Sequence, residues 1–148
     1  MKKLSGTMAA IMVVAILAGA FITTAVYAGA KEKARDGRFI AYDNGTVLDT
    51  KTNLMWAAKD NGKDINWSDA KSYCENYRGG GYTDWRMPTP DELAELYDSS
   101  KSRTGACNTS YNIHVATELI DITCFAPWTS ETRSSEAAIF GFSRGYRS

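Results

Sequence analysis

The sequence predicts an α+β domain in which a small antiparallel sheet carries two short, segregated helices. Three observations support this. Short strand-like runs separated by tight-turn residues follow residue 38, two helical patterns with capping residues occupy the middle, and a loop rich in Ser, Thr, Gly and Asn leads to further strand-like runs near the C-terminus.

The chain begins with a segment that does not belong to this domain. Lys2 and Lys3 precede an uncharged, apolar stretch from Met8 to Tyr27, which ends in Val26-Tyr27-Ala28. This three-part pattern is that of a signal peptide cleaved between Ala28 and Gly29. The run also approaches the ~20 apolar residues that span a bilayer, so the alternative is a transmembrane helix, an uncleaved anchor over residues 8–27. Under either reading Gly29 onward is extracytoplasmic, in the periplasm or secreted, and any membrane contact is through this segment alone. Cleavage leaves about 120 residues, room for one modest core but not for a two-domain cofactor enzyme, and no cofactor is expected. It also removes Lys2 and Lys3 from 17 basic residues that face 17 acidic ones, giving a net charge of −2. Nucleic acid, whose phosphates need a clustered basic excess, is not an expected partner.

Residues Gly29 to Arg38 are small and charged, without an apolar period, and read as a linker, so the domain is expected over residues 39–148. Phe39 to Tyr42 and Thr46 to Leu48 are strand-like, split by Asp43-Asn44-Gly45, where Asn-Gly tolerates the positive φ of a tight hairpin turn. Asp49 to Asn53 turns again into Leu54-Met55-Trp56-Ala57, which completes a meander before the polar loop Asp60 to Asp64. Ser68 is placed to cap a helix from Asp69 to about Arg78, with Ala70, Tyr73, Cys74 and Tyr77 on one face, ended by Gly79-Gly80-Gly81. A second helix has Thr89 as cap, Pro90 in its first turn and Glu92 three residues after the cap, with Leu93, Leu96 and Tyr97 as its buried face. Both helices are expected to run for about nine residues. After the loop Ser99 to Ser110, Trp128 to Ser130 and Ala137 to Phe142 read as strands.

Outside the cytoplasm thiols tend to pair, and the mature chain carries Cys74, Cys107 and Cys124. A Cys107–Cys124 bridge is preferred, since its loop would constrain the unfolded chain by roughly 3 kcal/mol. Cys74 then serves as a small hydrophobe in a helix; a Cys74 bridge to either of the others, or between chains, is the alternative. Three scattered cysteines and a lone His114 form no zinc pattern, and Asp60 to Asp64 lacks the alternating ligands of a calcium loop, so no metal is expected. Catalysis has little support: Ser110 and Ser130 sit on no nucleophile elbow, and Cys74 with His114 is a remote pairing. Arg86 is expected to pair with Asp84, Asp91 or Glu92 and fix the turn at Pro88 to Pro90, while Trp56, Trp67, Trp85 and Trp128 are expected mainly in the core, although such rings also stack on sugars. The basic residues Arg133, Arg144 and Arg147, with Trp128 nearby in sequence, are the first place to expect an anionic glycan.

The string Gly80-Gly81-Tyr82-Thr83-Asp84-Trp85-Arg86-Met87-Pro88-Thr89, followed by Glu92-Leu93 and Leu96, resembles the family named for the C-terminal domain of the Legionella collagen-like adhesin. Thr52 to Trp56, the helix Trp67 to Tyr77 and Trp128-Thr129-Ser130-Glu131 match the same pattern in order, so the resemblance runs from about Phe39 to Phe142. It implies a compact domain similar in type to C-type-lectin-like and formylglycine-generating-enzyme folds, although no matching cysteine pair lies near the C-terminus. The named adhesin binds sulfated polysaccharides and assembles as a trimer; its collagen-like repeats are absent here. Members usually continue into a last strand with a Val-Arg pair, and a missing strand would leave an open sheet edge after Phe142. The resemblance thus implies an exported, non-enzymatic adhesion module that recognises a glycan or a surface protein, with self-association as a further expectation. The alternative is an assembly subunit whose open edge receives a partner's strand.

Overall fold

The computed structural model describes residues 3–5, 29–107, 109–133 and 136–148, so the apolar segment 8–27, and with it the choice between signal peptide and anchor, lies outside the described residues. Among the described residues no helix is long and apolar enough to cross a membrane.

Strands β1 (Lys3–Ser5), β2 (Glu32–Asp36), β3 (Phe39–Tyr42), β4 (Thr46–Asp49) and β5 (Leu54–Ala57) form an antiparallel sheet in the order β1-β5-β4-β3-β2; β1 precedes Gly29, so in a chain that starts there the sheet is β5-β4-β3-β2 with β5 at its edge. The hairpin between β3 and β4 is the one expected at Asn44-Gly45. The Asn44 side chain accepts from the Thr46 backbone N–H at 3.2 Å and from its hydroxyl at 2.7 Å, a local bond that holds the turn. Alternation along the strands sends Phe39, Val47 and Trp56 inward, with Val47 directly opposite Trp56. Asp49 also points inward and is fully buried; its carboxylate meets Arg38 Nε at 3.1 Å and the Lys51 N–H at 3.0 Å. Residues 29–38 are not simply a linker, because Glu32–Asp36 pairs with β3 as an edge strand. Its side chains are exposed over most of its length, so it carries no apolar period that would mark it in the sequence.

Helix α1 (Trp67–Asn76) starts two residues earlier than expected. Its cap is Asn66, whose side chain accepts from the Asp69 N–H at 2.9 Å, and Ser68 lies inside the first turn. Buried Ala70 and Cys74 form its inner face, and Tyr73 is exposed. Helix α2 (Pro90–Ala94) has the expected capping box of Thr89 and Glu92 but only five residues. Beyond it lie β6 (Arg103–Thr104) paired with β7 (Asn112–Ile113), then a sheet in the order β10-β9-β8 of β8 (Trp128–Arg133), β9 (Glu136–Gly141) and β10 (Tyr146–Arg147). The expected open edge after Phe142 is partly closed by β10, where Tyr146 lies opposite Gly141 and Arg147 opposite Phe140, and Ile139 and Ser148 exchange backbone bonds of 2.9 and 3.2 Å. A Cβ on Gly141 would lie 2.2 Å from the Tyr146 ring, so the absence of a side chain there is what lets the strand return this closely.

Two apolar clusters hold these parts together. The larger joins the meander to α2 and β9 through Trp56, Leu93, Leu96, Ile120, Ile122, Phe140 and Phe142. The smaller seats α1 against β8 through Ala70, Cys74 and Met87, with Ile65, Trp67 and Trp128 packed around it. Full burial of one such Leu or Phe side chain contributes about 1.5–3 kcal/mol. The Cys107–Cys124 disulfide is present, with Cα atoms 5.0 Å apart, and Ala106 and Cys107 donate to the Thr123 carbonyl at 3.0 and 3.2 Å. Cys74 is buried and outside that bond. The fold class is therefore α+β, built of small antiparallel sheets with two short helices.

Candidate functional site

The Gly79 to Thr89 string forms a rigid frame. Gly80 and Gly81 have φ of 68° and 80°, values that end α1 and turn the chain outward. The chain then runs extended, and Trp85 is fully buried. Its indole N–H donates to the Gly79 carbonyl at 3.0 Å, and the rings of Tyr77 and Tyr82 meet it edge-on at 5.3 and 6.1 Å. Arg86, the next residue, grips Glu92 with both terminal nitrogens at 2.8 and 2.6 Å and also donates to the Met87 carbonyl at 3.0 Å. Of the three partners expected for it, Glu92 is the one found. The hydrogen-bonded Glu92 carboxylate holds the guanidinium above its usual pKa, against the lowering effect of burial. Glu92 Oε2 also accepts the Thr89 N–H at 2.8 Å, so one carboxylate fixes both the helix cap and the arginine.

Two tryptophans bind the frame to α1 and β8. Trp67 Nε1 donates to the Thr129 carbonyl at 2.9 Å and Trp128 Nε1 to the Ile65 carbonyl at 2.7 Å, each indole reaching the backbone beside the other. The Ser130 N–H donates to the Pro88 carbonyl at 2.8 Å. Between these segments opens a groove of about 380 Å³, within the range of small-ligand pockets. Trp67, Lys71 and Glu75 of α1 line one side, and Arg86, Thr89 and Ser130 the other. The Lys71 ammonium sits 5.7 Å from the centre of the Trp67 ring and 4.0 Å from Glu75.

A cavity of about 70 Å³ lies behind this wall, bordered by Cys74, Met87, Trp128 and the Asp60 loop. Asp60 is a structural anchor. Its carboxylate accepts from the Thr123 N–H at 2.8 Å, the Thr123 hydroxyl at 2.6 Å and the Gly62 N–H at 2.9 Å. Asp64 lies close to Cys107 and Cys124, but sulfurs joined in a disulfide have no thiolate to offer a metal. A cleft of about 710 Å³ separates the β2–β3 turn, the end of α2 and β10. Its charges are matched: Lys101 meets Asp36 at 3.3 Å, Lys51 meets Glu95 at 2.7 Å, and Arg147 pairs with Asp91.

Of the glycan set expected from sequence, the described side chains lie apart. Arg147 sits at that cleft with Asp91, Arg144 is exposed in the turn between β9 and β10, and the side chain of Arg133 lies outside the described residues. Trp128 is opposite Ile139 and Arg147 opposite Phe140, consecutive residues of β9, so the tryptophan and the arginine point to opposite faces of the sheet. Cys74 packs with Ala70 and Met87, whereas His114 donates from Nδ1 to the Lys101 carbonyl at 2.6 Å and touches Tyr97. Trp56 and Pro88 are buried. The grouping of Trp67 with Lys71, Arg86 and Ser130 was not expected from sequence. Only the four-residue step from Trp67 to Lys71 on one helix face signalled any part of it.

The structure is thus a small disulfide-stapled α+β domain with a braced frame beside a surface groove in which one indole meets mostly polar side chains. A family model described as the Lcl C-terminal domain matches residues 45–148, and the chain belongs to this family. That makes it an adhesin-related module of the bacterial surface type, and the disulfide agrees with a place outside the cytoplasm. No curated protein and no solved structure matches the chain significantly.

Proposed function

We propose that this chain is an exported, non-enzymatic binding or adhesion module of the bacterial envelope that recognises a glycan or a surface protein, and that the Trp67 groove is its contact site. It works either as a mature protein from Gly29, periplasmic or secreted, or anchored by residues 8–27. The observation that carries this reading is the groove itself, which combines an orientationally fixed indole with hydroxyl and guanidinium donors on a frame held by its own internal bonds. The lectin-like kinship implied by the family resemblance belongs to the same proposal. The alternative of a subunit completed by a partner strand is less favoured, because β10 already pairs with β9 from Ile139 to Gly141. The test is an oligosaccharide array probed with the full chain recovered from its extracytoplasmic fraction. Retention on a defined set of glycans, reduced when Trp67 is replaced, is the expected result. Retention that is indifferent to every groove residue would refute the site.

A further inference from the structure

We infer that the ligand of the Trp67 groove is an uncharged pyranose unit, held by ring stacking and hydrogen bonds to its hydroxyls. This rests on the reading that the groove binds a glycan, and it specifies which kind. The guanidinium at the groove is already neutralised, and the ammonium is loosely paired. Arg86 faces Glu92 through two charge-assisted bonds of 2.6 and 2.8 Å, and Lys71 lies 4.0 Å from Glu75. A sulfate or carboxylate placed here would have to compete with Glu92 for Arg86, and Glu92 cannot turn away without giving up the Thr89 N–H of the α2 cap. The chain as a whole offers no long-range attraction either, since 17 basic residues face 17 acidic ones and loss of Lys2 and Lys3 by cleavage makes the balance negative.

What the groove does offer suits hydroxyl groups and C–H faces. Arg86 spends three of the five N–H donors of a guanidinium on Glu92 and Met87. Its remaining donors are directional and suited to neutral acceptors. Thr89 Oγ1 accepts from the Glu92 N–H and keeps its own O–H to donate, and the exposed Ser130 lies on the same rim. The bond to the Thr129 carbonyl fixes the Trp67 ring plane, so stacking against it costs little ordering. Lys71 is about half exposed and held by its long pair with Glu75 and its place 5.7 Å over the Trp67 ring, both weak contacts. It is the side chain that yields when a sugar ring settles on the indole.

The experiment titrates the full chain with two panels. One holds uncharged oligosaccharides of glucose, galactose, mannose and N-acetylglucosamine; the other holds heparin and chondroitin sulfate. Binding is expected from at least one uncharged probe, with a Kd that moves less than about twofold between low and high salt, where screening would weaken a charge-driven complex far more. Lys71→Ala, at an exposed position, should tighten binding by uncovering the indole. Ser130→Phe, which fills the groove from an exposed position on β8, should weaken it by about tenfold or more, some 1.4 kcal/mol. Salt-sensitive binding of only the sulfated probes, weakened by Lys71→Ala, would overturn the inference and leave the proposed function standing. Uncharged binding that survives Ser130→Phe would overturn the site. Binding of neither panel would remove the glycan reading and the inference together.

Discussion

Glu92→Ala tests whether one carboxylate holds the frame beside the groove. The carboxylate accepts three bonds, from Arg86 at 2.6 and 2.8 Å and from the Thr89 N–H at 2.8 Å. Its capping share is about 1 kcal/mol, the usual worth of a helix N-terminal side-chain bond. Charge-assisted bonds such as the bidentate pair reach about 1.5–3 kcal/mol in sheltered settings. Here the Arg86 side chain is 41% exposed and Glu92 18%, so solvent screening reduces the pair to about 1 kcal/mol. The substitution should therefore cost about 2 kcal/mol and, for a domain of this size, lower Tm by about 8 °C. Glu92→Gln, which keeps an acceptor for the cap but loses the charge, should cost about half as much. Arg86→Met should cost about 1 kcal/mol alone and nothing further on top of Glu92→Ala, a coupling of about 1 kcal/mol in a double-mutant cycle followed by urea and thermal melts. A loss within about 0.5 kcal/mol for Glu92→Ala, the range of an ordinary surface substitution, would refute the reasoning.

Replacing both Cys107 and Cys124 with Ser should remove about 3 kcal/mol by freeing the unfolded chain, read as a lower urea midpoint; an unchanged midpoint would contradict a role for the bridge in stability. Gly80→Ala should destabilise by about 2 kcal/mol or more, because the residue has φ 68° and a Cβ would lie 2.4 Å from Cγ2 of the buried Thr46; equilibrium unfolding with a loss below about half of that would show that the turn relaxes freely. The Asp36 carboxyl is held below its usual pKa by the Thr117 hydroxyl and then by Lys101, against partial burial. A depressed value contributes stability that is full above the unfolded pKa of 3.8 and is lost as pH falls through the folded one. Between pH 6 and pH 3 the Tm of the parent chain should thus fall more steeply than that of Asp36→Asn, and parallel curves would contradict the assignment.

The parts legible in the sequence were those set by neighbouring residues. Asn44-Gly45 makes its turn, Thr89 with Glu92 makes its box, and Trp85 turns inward between two outward neighbours, all within a few residues of backbone. The α1 cap lies two residues before the one the sequence suggests because Asn66 and Ser68 are both good caps. The choice fell to Asn66 once Trp67 was drawn into the first turn by its bond to Thr129, a contact across 62 residues. β2 and β10 leave no mark in the sequence for the opposite reason: their side chains are largely exposed, so pairing rather than hydrophobicity makes them strands. The groove depends on the same kind of remote contact, since it exists only where α1, the segment around Arg86 and β8 are sewn together by Trp67, Trp128 and the Ser130 to Pro88 bond. Much of the string that places the chain in its family is spent beneath that surface, with Trp85, Met87, Pro88 and Leu93 all buried. Family membership therefore fixes the frame and says little about the ligand. Lys71, Glu75 and Ser130, the groove residues that lie exposed on α1 and β8, carry no such packing constraint, so substitutions there should reshape the groove without disturbing the fold.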